Sequence, residues 1–298
     1  MTTSGGTAKA SGGAEGAGRG GGPEVLRYTA FSSDPAGGNP AGVVLDAAGL
    51  GADEMLAIAA EVGYSETAFV TAADGRTLDV RYFSPKAEVP FCGHATVATA
   101  VAVAERTGPG DLLFRVVAGE VPVSVEAGGD GVLRATLTGV EPYTEPIADD
   151  DLAEALAALD WAAADLDPAL PPRIAYAGAR HLVLAAATRA RLAALDYDDA
   201  RLTALMTALD LTTLQLVWRQ SPAVYHVRDP FPVGGVVEDP ATGAAALAFG
   251  AYLRELGPVP EHLTLHQGED LGRPGVLRVE LRPGDPRVRV SGAAVPLA

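Results

Sequence analysis

Two short strings in this sequence carry the pattern of a ligand-holding turn, and they are copies of one another. Glu88-Val89-Pro90-Phe91-Cys92-Gly93 and Glu238-Asp239-Pro240-Ala241-Thr242-Gly243 both read E-x-P-x-x-G, 150 residues apart. Proline halts an extended segment, and glycine lets backbone approach a ligand closely. Each string runs into a helix-length stretch of small and apolar residues, one starting at His94 and one at Ala244, with no acidic or strongly basic side chain. A helix that is apolar on every face is buried on every face. Its N-terminus exposes unpaired N–H groups and about half a positive charge. That end is a ready seat for a carboxylate or phosphate. The implied chemistry is capture of a small anion between two such ends, facing one another across a cleft between domains.

The rest of the sequence must supply the sheets that position these turns. Strands are expected at Glu24–Phe31, Ala41–Leu45, Glu66–Val70, Leu78–Phe83, Leu112–Val117, Val121–Glu126 and Leu133–Leu137, and again at Val276–Leu281 and Val288–Val290. Further helices are expected over Met55–Val62, Leu152–Leu159, Ala190–Leu195 and Ala200–Leu209. Strands dominate without strict βαβ alternation, so the class is α+β. The repeat predicts two pseudo-symmetric domains, each a barrel-like β-sheet wrapped around a central apolar helix. The expected limits are a Gly/Ala-rich flexible tail over 1–22, an N-terminal domain over 23–140 and a C-terminal domain over 141–298. The last strands are candidates to pack back on the first domain.

Composition removes several classes of function. The net charge of −16 disfavours binding to nucleic acid. A single cysteine, Cys92, excludes internal disulfides and multi-thiolate zinc sites. Lys9 and Lys86 are the only lysines, and Lys9 lies in the tail, so a pyridoxal phosphate enzyme is disfavoured. The G-x-G-x-x-G match at Gly16, Gly18 and Gly21 neither follows a strand nor opens a helix, and reads as chance. His181, His226, His262 and His266 show no metal-ligand spacing, and no metal or cofactor is expected. Nothing resembles a secretory signal or a membrane span, which points to the cytoplasm. Neither GxSxG nor HExxH occurs, which removes the commonest serine-hydrolase and zinc-protease readings.

The strings GNPAGVV (Gly38–Val44), YSETAFV (Tyr64–Val70), RYFSPKAEVPFCGHATVATA (Arg81–Ala100), EDPATGAAALAFGAYL (Glu238–Leu253) and QGEDLGRPG (Gln267–Gly275) run in order along the chain. Together they resemble the PhzF family of phenazine-biosynthesis-type isomerases, whose fold is like that of diaminopimelate epimerase. The resemblance implies a cofactor-independent isomerase that moves a proton within a small amino- or carboxylate-bearing substrate, in a chain that pairs as a homodimer. It places the acid/base glutamate at Glu66, the histidine at His94 and the aspartate at Asp239. It also places the substrate carboxylate on backbone amides around Gly93 and Gly243, next to Thr242 and Ala244. The family often carries a hydroxyl residue where this chain has Ala244, a departure that bears on carboxylate recognition.

Proton abstraction beside a carboxylate needs a base of tuned pKa and donors for the developing charge. Glu66 meets the first need if burial raises its pKa, with Tyr64, Phe69 and Val70 as an apolar wall. His94 at a helix start is expected to be neutral near pH 7. Asp239 is a candidate helix N-cap. Arg81 and Arg228 read as surface residues at strand ends. In the epimerase relatives the places of Cys92 and Thr242 both carry cysteines acting as opposed acid and base. A threonine cannot replace a thiolate, so the two-thiol mechanism is absent and Cys92 reads as a buried small residue. An amino-acid racemase or epimerase and a non-catalytic binder of small carboxylates remain as alternatives.

Overall fold

A computed structural model of the chain describes residues 1–2 and 22–297. The tail expected over 1–22, with its glycine-rich match, falls almost wholly outside the described residues. The first half runs β1 (Leu26–Ala30), β2 (Asn39–Val44), α1 (Ala52–Val62), β3 (Glu66–Asp74), β4 (Thr77–Phe83), β5 (Glu88–Val89), α2 (Gly93–Thr107), β6 (Gly110–Val116), β7 (Gly119–Ala127) and β8 (Leu133–Thr138). The second runs β9 (Tyr143–Pro146), α3 (Asp149–Ala158), β10 (Arg173–Tyr176), β11 (Arg180–Ala185), α4 (Arg189–Ala193), α5 (Asp199–Ala208), β12 (Thr213–Ser221), β13 (Val224–Phe231), β14 (Val236–Asp239), α6 (Gly243–Leu256), β15 (His262–Gln267), β16 (Gly275–Leu281) and β17 (Val288–Pro296).

Eight strands close a barrel in the order β1, β2, β3, β4, β6, β7, β8, β17, with β17 returning to β1. The strands alternate as a sheet with one buried face must: Leu78, Val80 and Tyr82 of β4 are buried, while Thr77, Asp79 and Arg81 are not. The buried face packs on α2, whose residues from His94 to Ala102 are all buried. Thr96 and Thr99 donate their hydroxyls to the carbonyls of Cys92 and Ala95, one turn back at 2.7 Å each, so neither hydroxyl is stranded in the core. The second sheet, β9 to β13 with β15, β16 and β17, surrounds α6 in the same way.

The expected strands leave residues 138–275 empty; the structure puts β9 to β15 there. In β11 and β12 the runs Leu182–Ala185 and Leu214–Val217 are continuous and buried. Periodicity cannot tell such a run from a buried helix.

Each repeat turn is reached through a hairpin braced by one ion pair. Arg81 of β4 meets Glu88 of β5, and Arg228 of β13 meets Glu238 of β14, each through two bonds of 2.7 Å. The glutamates are therefore the first letters of the two copies. The expectation of surface arginines needs correction for Arg228, which is 9% exposed and also donates to the Ala193 carbonyl.

Candidate active site

The two repeat turns meet head to head. A Cβ built on Gly93 would stand 3.7 Å from the Gly243 Cα and 3.8 Å from the Ala244 amide nitrogen. In α2 the first intrahelical bond runs from Thr96 N to Cys92 O, and in α6 from Ala246 N to Thr242 O. The N–H groups of Gly93, His94, Ala95, Gly243, Ala244 and Ala245 come before those bonds and have no acceptor within their helices. A cavity of about 420 Å³ opens over this point, lined by Glu66, His94, Asp239 and Thr242 with apolar Val89, Pro90, Phe91 and Phe231. Two helix dipoles thus converge on one place in a partly apolar pocket.

Glu66 opens β3, beside Ala41 of β2, and its side chain is 15% exposed. Burial pushes its carboxyl above the usual glutamate range, against hydrogen bonds from Ser65 and Cys92 that favour the charge. The Cys92 thiol donates to Oε2 at 3.6 Å, and His94 Nε2 lies 3.5 Å from the same oxygen. The expected apolar wall is corrected. Phe69 faces the other side of the sheet, under α1, packed edge-on against Phe83 at 5.6 Å. Tyr64 does not line the cavity, and Val70 points into the barrel core. The wall comes instead from the end of β5 and the loop after it, which bring Val89, then Pro90 and Phe91.

His94 is 5% exposed, and burial holds its pKa below the usual histidine value, opposed by the charge of Asp239 and the Pro40 carbonyl. The imidazole is neutral, as expected, though burial is the main cause. Asp239 is 7% exposed, and burial pushes its carboxyl up to about 6, opposed by His94 and by Thr242 and Asn39. Its expected role as a helix N-cap is corrected: Asp239 ends β14, and α6 starts at Gly243 after Thr242. Thr242 Oγ1 donates to Asp239 Oδ2 at 2.6 Å. Gln267 braces the turn, accepting from Thr242 N at 2.9 Å and donating to the Asp239 carbonyl at 2.9 Å. Asn39 reaches the same carboxylate from β2. Asn39 and Gln267 were not singled out from the sequence, although both lie in the strings that carry the resemblance. A polar residue at the start or end of an apolar strand was the available signal.

Cys92 is 8% exposed, and burial together with Glu66 pushes its thiol well above the usual value, so it is an unreactive thiol. The donor atoms of Glu66, Cys92 and His94 lie within 4.8 Å of one another. However, Sγ stands 3.3 Å from Nδ1 and 3.8 Å from Nε2 of the same ring. It therefore sits beside the ring rather than on the lone-pair axis of either nitrogen. A tetrahedral ion on this trio would require the imidazole to turn.

A family model described as phenazine biosynthesis-like protein, PhzC-PhzF, matches residues 28–298. The chain belongs to the PhzC-PhzF family. It is 34% identical to the uncharacterized isomerase YddE of Escherichia coli O157:H7, over 92% of this chain and 96% of that one. It is 32% identical to the trans-2,3-dihydro-3-hydroxyanthranilate isomerase of Pseudomonas chlororaphis, over 89% and 94%. The solved PhzF-family protein of Bacillus anthracis superposes with a TM-score of 0.83 at 27% identity, over 92% and 96%. A probable proline racemase from Agrobacterium radiobacter K84 shares the fold at a TM-score of 0.62 and 11% identity, over 92% and 91%.

The internal symmetry of this PhzC-PhzF chain shows what each half contributes. Phe69 lies opposite Arg81 and Leu216 opposite Arg228, so the residues three places earlier, Glu66 and Thr213, are mates. Within the repeat, Cys92 pairs with Thr242 and His94 with Ala244. Thr213 lines the cavity where the first half has its carboxylate, and its hydroxyl is bonded to His181 Nδ1 at 2.8 Å. The titratable groups on the cavity wall from β3 and α2 therefore have uncharged counterparts in β12 and α6.

Proposed function

We propose that this PhzC-PhzF chain is an isomerase that moves one proton within a small carboxylate-bearing substrate, with Glu66 as the group that lifts the proton and returns it. The observation that carries this reading is a largely buried glutamate, its side chain 15% exposed, beside two convergent helix ends, with a threonine in the mirrored place. The free amides of the two ends hold the substrate carboxylate and take up charge as the proton leaves. Glu66 removes a proton from carbon, becoming the carboxylic acid. The electron pair delocalises toward the neighbouring unsaturated group, and the same acid protonates a carbon two atoms away. No other base is consumed, so the cycle closes on the starting carboxylate. His94 and Asp239 stand beside the reacting atoms and stabilise the protonation states of Glu66 and of the substrate.

A racemase needs a base on each face of the reacting carbon. Thr213 and Thr242 occupy the mirrored places, and Thr242 spends its hydroxyl proton on Asp239. That arrangement favours the one-base proton shift.

The test is solvent deuterium incorporation by wild type and Glu66→Gln. The first probe is trans-2,3-dihydro-3-hydroxyanthranilate, followed by a panel of small carboxylic acids. We expect the variant to lose on the order of 10²–10⁴ in rate. Unchanged turnover would remove Glu66 from the mechanism, and inversion at a stereocentre would restore the racemase reading.

A further inference from the structure

Asn39 opens β2 in the first half, yet its side chain serves the second. It is 1% exposed. Its Nδ2 donates to Asp239 Oδ1 at 2.8 Å and to the Ala241 carbonyl at 3.1 Å, and lies 3.2 Å from His94 Nδ1. An amide nitrogen has two hydrogens. Both are directed to acceptors in the turn before α6, and the same nitrogen touches the histidine of the turn that opens α2. Asp239 is thereby occupied on both oxygens by donors, Asn39 on Oδ1 and Thr242 on Oδ2. Two donors on two oxygens is the pattern that suits a carboxylate rather than a carboxylic acid, which must donate from one of them.

We propose that Asn39 is a positioning residue that ties the two repeat turns together and holds Asp239 ionised against His94. It does not line the cavity and acts only through these two residues. The inference rests on the reading of Glu66, His94 and Asp239 as the reacting groups. The surroundings of Asp239 explain why a donor is needed there. Among the described residues His94 from α2 is the one group whose charge would favour the carboxylate, and burial holds its pKa below the usual histidine value. Glu66 from β3 adds like charge. Asp229 of β13, which pairs directly across from Asp239 and is fully buried, has its own carboxyl pushed well above the usual value by burial and by the charge of Asp239. From β15, Gln267 reaches the Asp239 backbone carbonyl rather than the carboxylate. Removing Asn39 leaves Thr242 as the one side-chain donor to this carboxylate among the described residues, in a site that otherwise disfavours charge.

The experiment needs no substrate, so its failure is separate from failure of the proposed reaction. Carboxyl-¹³C-labelled aspartate in the full chain is titrated by NMR, with Asp239 assigned by the signal lost in Asp239→Asn. The His94 ring nitrogens are followed in parallel. In Asn39→Ala we expect the proton affinity of Asp239 to rise about tenfold or more, one pH unit in its midpoint. We also expect the His94 midpoint to fall as its anionic neighbour is neutralised. Asn39→Asp keeps the shape and covers the case in which the alanine variant does not fold. There the two carboxyls should share a proton and titrate in two separated steps. A shift of Asp239 below about 0.3 pH unit in a folded Asn39→Ala chain, or two independent unshifted titrations in Asn39→Asp, would overturn the proposal.

Discussion

At Asp239 the proposed role and the stability of the fold oppose one another. Its carboxyl is raised from 3.8 to about 6, chiefly by burial. A raised carboxyl means that the folded state binds the proton more tightly than the unfolded one. Its contribution to stability is fully present below the unfolded value of 3.8 and is lost as pH rises through about 6. At neutral pH the ionised group is a cost of up to about 3 kcal/mol. Asp239→Asn should therefore raise stability at about pH 7, while the difference fades toward pH 4. Urea melts at the two pH values measure this, and equal stability at both would contradict it. Glu66 and Asp229 are shifted in the same direction. Buried His94 and His181, held below the usual histidine value, act on stability in the opposite sense, losing their contribution as pH falls. Activity should rise with pH as Glu66 and Asp239 ionise.

At the scale of elements, the site is made by where two helices begin. A methyl added at Gly93 would meet its neighbours only at ordinary contact distances, so Gly93→Ala should fold with a stability change below about 1 kcal/mol. That methyl would nevertheless stand 3.8 Å from the Ala244 amide, in the space a carboxylate oxygen needs. We expect small carboxylates to raise the thermal midpoint of the wild type and not that of the variant. Retained stabilisation would mean that the anion seat lies elsewhere. The paired hairpins that deliver these helix ends differ in kind. Arg228–Glu238 is buried with side chains 11% and 2% exposed, while Arg81–Glu88 is 32% exposed on both sides. Breaking the buried pair leaves an unpaired charge in the core and should be the more damaging of the two.

At the scale of the whole molecule, β17 is the common part. It pairs with β16 over Val288–Ser291, with β8 over Arg289–Ala293 and with β1 over Ala294–Pro296. Residues 23–140 alone lack the strand that closes their barrel, so that fragment should show no cooperative thermal transition. Phe31 sits at the same junction with φ 63, a left-handed conformation rare for a bulky residue. It is held there by bonds from Phe31 N to Ala293 O and from Val276 N to Phe31 O, each 2.7 Å. Its ring lies against Gly292, where a Cβ would come within 2.2 Å of Cδ1. Gly292→Ala should cost about 1–3 kcal/mol or more through overpacking, read as a lowered denaturation midpoint.

The sequence by itself determined the twofold plan, the two buried helices and the pair of turns that open them. Those features are local: a helix with no polar face has nowhere to go but inside a sheet, and Pro-x-x-Gly fixes where it starts. Through the family resemblance it also pointed to Glu66, His94 and Asp239, which the fold brings to the wall of one cavity. Tertiary structure alone decided which way each side chain faces and what lies opposite it. Phe69 left the site because strand alternation turned it under α1, and Arg228 became buried because β14 brought Glu238 alongside. Asn39 meets Asp239 across 200 positions of chain, and Thr213 is seen as the counterpart of Glu66 only once the strand registers are known. Contacts of that separation arise from barrel closure, and no local pattern of residues encodes them.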